Sequence, residues 1–171
     1  MPDGPRPTGP DYDDDFYAWT QYQAEVLRTL PTADNRFDRE HLAEEIEDLG
    51  RSYRDAVRSQ VRRILLHFLK LAHSPAREPR SDWMNSIDDA RAEIADRLTA
   101  TLRRDIEEAL PRLYAVTRKQ VVRNLGKYGE HAAARSLPAG CPYTIEQILA
   151  EDWYPDPAGN ADSNTDPGDA T

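Results

Sequence analysis

Residues 38–73 read DREHLAEEIEDLGRSYRDAVRSQVRRILLHFLKLAH. Within them Leu42, Ile46, Leu49, Tyr53, Val57, Val61, Ile64, Phe68 and Leu71 advance by threes and fours, the period of one face of an α-helix and not of a strand. Asp38 is placed to cap the start and Ser74-Pro75 to stop the end. Glu40, Glu44, Glu45, Glu47 and Asp48 load the first turns while Arg62, Arg63 and Lys70 lie late, the order that the helix macrodipole favours. At 1.5 Å per residue such a helix is roughly 50 Å long, so it is expected either to project or to bend. Gly50 falls on the apolar face among Ile46, Tyr53 and Val57, which marks either a close approach by another element or a mild bend.

The flanking sequence supplies helices to pack on this one. Asp13 or Asp14 can cap a first helix that runs to about Thr29 and stops before Pro31, with Phe16, Trp19, Val26, Leu27 and Leu30 on its apolar side. After the short basic loop SPAREPR, a third helix capped by Ser81 carries Trp83, Ile87, Ala90, Ile94 and Leu98. Thr99-Ala100-Thr101 suggests a break, with Thr101 as the cap, although one long bent helix is the alternative. A fourth helix uses Leu102, Ile106, Leu110, Leu113, Val121 and Leu125, with a kink expected at Pro111 and an end near Gly126. Residues 130–142 read as irregular, and Thr144 with Gln147 forms a capping box for a short fifth helix ending before Pro155. The expected fold is all-α: an antiparallel helical bundle of four to five helices built on the long central helix, about 38–73.

Both ends differ in composition from the body. Residues 1–11 and 156–171 are rich in Pro, Gly and Asp and are expected to be disordered tails around a single helical-bundle domain, residues 12–155. The net charge of −9 resides in those ends: residues 1–15 hold five aspartates against Arg6, and residues 151–171 hold six carboxylates and no base. The body is therefore nearly neutral, and overall acidity does not decide its partners. One cysteine, Cys141, forbids an internal disulfide, and with no signal peptide a cytoplasmic location is expected. The longest apolar run, Val61 to Leu71, is interrupted by Arg62, Arg63, His67 and Lys70, so no membrane span is expected.

Four segments resemble a known bacterial family in the family's order: DFYAWTQYQAEVLR (Asp15 to Arg28), LAEEIEDLGRS (Leu42 to Ser52), RRILLHFLK (Arg62 to Lys70) and CPYTIEQILAEDW (Cys141 to Trp153). They are similar to domain-of-unknown-function family 29, small helical proteins of cyanobacteria and proteobacteria without an established activity. The resemblance spans roughly Tyr12 to Pro155 and implies a helical bundle; it transfers no catalytic residue. RNLGKYGEHAAARSLPAG, ending at Gly140, departs from the family pattern.

No constellation reaches the specificity of the long helix. His41 with Glu44 and Glu45 reverses the order of a Glu-x-x-His metal pairing, and residues 82–128 hold no histidine to face it, so a solvated acidic turn is favoured over a metal site. His67 sits at the edge of the apolar stripe, where a half-buried, hydrogen-bonded side chain is favoured over a general base. Cys141 lacks an activating base nearby. Arg51, Arg54, Arg58 and Arg62 form one stripe opposite the apolar face, able to track phosphates or to meet acidic residues of another chain. The eight glycines assemble into no phosphate cradle. The expected function is therefore non-enzymatic, without catalytic, metal or cofactor residues. It acts through contacts with a protein partner or a second copy, at a projecting end of the long helix or at Trp153 and Tyr154. Nucleic-acid binding by the arginine stripe is the alternative, and a metal-dependent hydrolase with its site in the bundle comes third.

Overall fold

The computed structural model describes residues 9–32, 34 and 36–157. Six helices and no strand occur among them: α1 (Phe16–Thr29), α2 (Arg39–His73), α3 (Arg80–Ala95), α4 (Ala100–Lys127), α5 (His131–Ser136) and α6 (Ile145–Leu149). The protein is all-α, as the periodicity predicts. Of the tail expectations, residues 1–8 and 158–171 lie outside the described residues; residues 9–11 are described, and Asp11 O accepts the Asp15 N–H at 3.0 Å.

Local caps set most of the boundaries. Asp15, not Asp13 or Asp14, caps α1 by accepting the Ala18 N–H, because it is the residue that directly precedes the first helical turn. Asp38 caps α2 as expected, its Oδ1 3.3 Å from His41 N. Ser81 does not cap α3, which begins one residue earlier at Arg80 behind Pro79. The chain breaks after Ala95, and Thr99 rather than Thr101 accepts the Leu102 N–H at 3.2 Å, so α3 and α4 are separate and Leu98 lies between them. α4 continues through Pro111 and past Gly126. It ends where Gly129 adopts φ 75°: Glu130 N reaches Leu125 O at 2.9 Å and Gly129 N reaches Gly126 O at 3.2 Å, the paired bonds that close a helix through a left-handed residue. The stretch expected to be irregular contains α5. The capping box at Thr144–Gln147 is present on α6.

The described chain divides into two compact units. The first comprises residues up to Ser59 with Ala95–Glu108; the second comprises Gln60–Ile94 and residues from Ala109 on. In the first unit α1 runs antiparallel to the start of α2: Phe16 meets Tyr53, Thr20 meets Gly50 and Arg28 pairs with Glu47. Its buried apolar side chains are few, chiefly Ala24, Ala43, Val57, Leu102 and Ile106. The second unit has the larger core. Val61, Ile64, Leu65, Phe68 and Leu69 of α2 are fully buried with Ile87 and Ala90 of α3, Val121 of α4 and Ile148 of α6. Each side chain of that size contributes about 1.5–3 kcal/mol when buried. α3 returns antiparallel along α2, since partners fall on α3 as they rise on α2: Gln60–Glu93, Arg63–Ser86, Lys70–Trp83.

Candidate interaction surface

The apolar stripe of α2 divides into a buried part and an exposed part. Val57 to Leu71 is buried, yet Leu42 and Leu49 remain 42% and 54% exposed. The cause is where α1 lies. It covers the side of α2 that carries Ala43 and Gly50, both buried, where the missing Cβ of Gly50 lets Thr20 of α1 approach closely. Leu42, Ile46 and Leu49 sit roughly a quarter turn further round, spaced by four and three like the seam of a coiled coil. They line a groove together with Glu45, Asp48 and Ser52. Its rim is acidic. Glu44 and Glu45 are exposed and make no ion pair among the described residues, while Asp48 pairs with Arg51 at 2.9 Å across the surface. At the head of the helix Asp38 Oδ2 and His41 Nδ1 lie 2.6 Å apart, a contact that lowers the carboxyl's pKa and raises the imidazole's.

The four arginines of the predicted stripe have internal partners in most cases. Arg51 lies 3.5 Å from Glu47 and 2.9 Å from Asp48. Arg54 chelates Asp55 at 2.9 and 3.0 Å and lies over the Tyr17 ring. Arg58 forms a two-pronged pair with Asp105 of α4 at 2.6 and 2.8 Å, both side chains under 20% exposed. Such a fork is strong and directional, so Arg58 is held by the fold and not offered to a phosphate. Arg62 is half-buried, and its Nε has no partner among the described residues.

Trp153 and Tyr154 are likewise drawn inward. Trp153 packs edge-on against Phe68 at 5.2 Å and Tyr143 at 6.0 Å, and the Tyr154 hydroxyl donates to Asp88. The residue that gathers them is Arg91, whose charge keeps it out of the apolar pattern of α3. Arg91 is buried and donates to the carbonyls of Gln147, Ile148, Glu151 and Trp153 at 2.7–3.1 Å. Its guanidinium lies over the rings of Phe68 and Tyr154, 5.6 and 5.2 Å from their centroids. It thereby satisfies carbonyls at the end of α6 that have no helical partner of their own.

Of the other residues singled out by type, His67 is half-buried with Nδ1 unpartnered. Burial, then Lys70 and Arg63, push its imidazole down to about 4. Burial raises the Cys141 thiol, which points at Tyr143 O. Among the described residues no three of His, Cys, Asp and Glu gather as a metal ion needs, and no helix is long and apolar enough to cross a membrane.

The family model described as a domain of unknown function, DUF29, matches residues 12–154. The chain belongs to the DUF29 family. The matched span includes residues 123–140, where a departure from the family pattern is expected from the sequence, and there the DUF29 chain forms the end of α4 and α5. A crystal structure of an alpha-helical protein of unknown function from Rhodospirillum rubrum is similar, at 25% sequence identity. It superposes with a TM-score of 0.72 over 84% of this chain and 92% of that one. None of the curated proteins matches the chain.

Proposed function

We propose that this DUF29 chain is a non-enzymatic interaction module whose docking face is the groove at Leu42, Ile46 and Leu49. The observation that carries the reading is the exposure of two leucines on a helix whose next apolar turns are fully buried. The occupant is an amphipathic helix of another protein, with apolar residues at matching spacing and Lys or Arg on its flanks. Charge selects it: Glu44, Glu45 and Asp48 border the leucines, so a basic flank gains attraction. A second copy meeting through the same face would set these carboxylates against their like. The arginines support nucleic-acid binding less well, since Arg51, Arg54 and Arg58 have carboxylate partners.

The test is fluorescence anisotropy with two synthetic helices that carry leucine at i, i+4, i+7 and i+11, one flanked by lysine and the other by glutamate. The lysine helix should bind at least about tenfold tighter than the glutamate helix, and Leu42→Asn with Leu49→Asn should abolish binding while leaving the melting curve in place. Equal binding to the double variant, which retains the acidic ends, would refute the docking face. Self-association that these substitutions abolish would make the occupant a second copy and refute the basic-helix reading.

A further inference from the structure

The second unit contains a recess of 280 Å³ where the end of α2, the start of α3 and the end of α4 meet. It is independent of the groove on α2. Three features of its lining are those of a ligand site. Lys70 enters with its ammonium 5.5 Å from the Trp83 ring centroid, and among the described residues no carboxylate lies within ion-pair distance of it. Asn124 presents an amide that has no hydrogen-bond partner among the described residues. Opposite charge is also present: Glu130 accepts the Ser74 hydroxyl at 2.8 Å through one carboxylate oxygen, which leaves the other for a further donor. Trp83 and the buried Leu125 supply flat apolar surface between these polar groups. The volume falls just below the range of about 300–1,000 Å³ typical of ligand pockets, which limits the occupant to a small molecule.

We infer that this recess binds a small aromatic monocarboxylate that carries a hydrogen-bond donor at its far end. The carboxylate meets Lys70 and the Asn124 amide, the ring lies on Trp83 and Leu125, and the donor meets Glu130. Each group then has a complement, and Glu130 excludes a second carboxylate. Partial burial already lowers the Lys70 pKa, with Glu130 opposing the shift, so an incoming anion relieves a cost that the free protein bears.

Calorimetric titration of the full chain tests this with three probes: 4-hydroxybenzoate, 4-hydroxybenzyl alcohol, which lacks the carboxylate, and terephthalate, which replaces the donor by a second carboxylate. The first should bind, and the other two should be at least about tenfold weaker, the discrimination expected of a charge-assisted hydrogen bond. Lys70→Met should reduce 4-hydroxybenzoate to the level of the alcohol. Glu130→Gln, which keeps an oxygen for Ser74, should raise terephthalate by about tenfold. Absence of heat with 4-hydroxybenzoate at millimolar concentration would overturn the inference. So would unchanged affinity in Lys70→Met, or in Asn124→Leu should the lysine variant fail to fold.

Discussion

Replacing Gly50 by alanine sets two effects of opposite sign against each other. In a helix interior alanine is favoured over glycine by about 1 kcal/mol, so a Gly50 exposed to open space would be a site for stabilisation. Gly50 instead faces Thr20, which is fully buried. A Cβ there overlaps Thr20 Oγ1 and lies 3.0 Å from Thr20 Cβ and 2.9 Å from Gln21 Nε2. Rotating the threonine removes the first overlap but breaks its hydroxyl's 2.7 Å bond to Tyr17 O, at about 1 kcal/mol, and leaves the Cβ contact in place. Overpacking of this kind costs about 1–3 kcal/mol, so Gly50→Ala should be destabilising by about 1–3 kcal/mol overall. In urea this lowers the midpoint by about 1 M, given slopes of about 1–3 kcal/mol per molar. Thr20→Ala removes the overlapping oxygen, so the double variant should recover at least about 1 kcal/mol relative to the sum of the two single changes. A Gly50→Ala protein more stable than the parent would refute the close approach of α1, and with it the reason Leu42 and Leu49 are left exposed.

Two other glycines calibrate that result. Gly126→Ala, with nothing within 4 Å of the added carbon, should stabilise by about 0.5–1 kcal/mol, whereas Gly129→Ala should destabilise by about 1–2 kcal/mol because of its positive φ; a lowered urea midpoint for the first or a raised one for the second would contradict that assignment. Arg91→Lys should destabilise by about 3 kcal/mol, since one ammonium cannot span four carbonyls, and should expose the Trp153–Tyr154 region to chymotrypsin; a proteolysis pattern like the parent's would remove Arg91 from its anchoring role. His67 titrates near 4 in the folded chain and near 6.5 when unfolded, so the unfolded state binds more protons between those values. Stability is then full above about pH 6.5 and declines as pH falls towards 4, by about 1–2 kcal/mol once partial exposure is allowed for. His67→Gln should flatten that part of the profile, and superimposable parent and variant curves would rule out the burial effect.

The helices were legible where the signals are local. Asp38 and Thr144 cap the helices they precede, and nine apolar positions at helical spacing define α2, because capping and periodicity depend on neighbours within four residues. Short-range signals misplaced boundaries where several residues could serve: Asp15 was chosen among adjacent aspartates and Thr99 between two threonines. The end of α4 passed Gly126, whose glycine does not need a positive φ, and stopped at Gly129, which has one. The candidate surfaces were less legible. Leu42 and Leu49 belong to the same stripe as Val57 and Ile64, and nothing in their spacing shows that α1 covers the Ala43–Gly50 side instead.

By itself, then, the sequence determined the all-α class and the long second helix, because each follows from interactions along one helix; it left Gly50 open between a bend and a close approach, and the contact with Thr20 of α1 decided that. Only the tertiary structure decided which leucines stay exposed, that Arg58 is held by Asp105, that Arg91 anchors the C-terminal segment, and that Lys70, Asn124 and Glu130 line one recess. These pairings join residues 47 to 62 positions apart, or gather three helix ends, and no periodic pattern encodes them. A charged side chain can be buried at such a place because carbonyls or a carboxylate arrive from elsewhere in the chain to meet it.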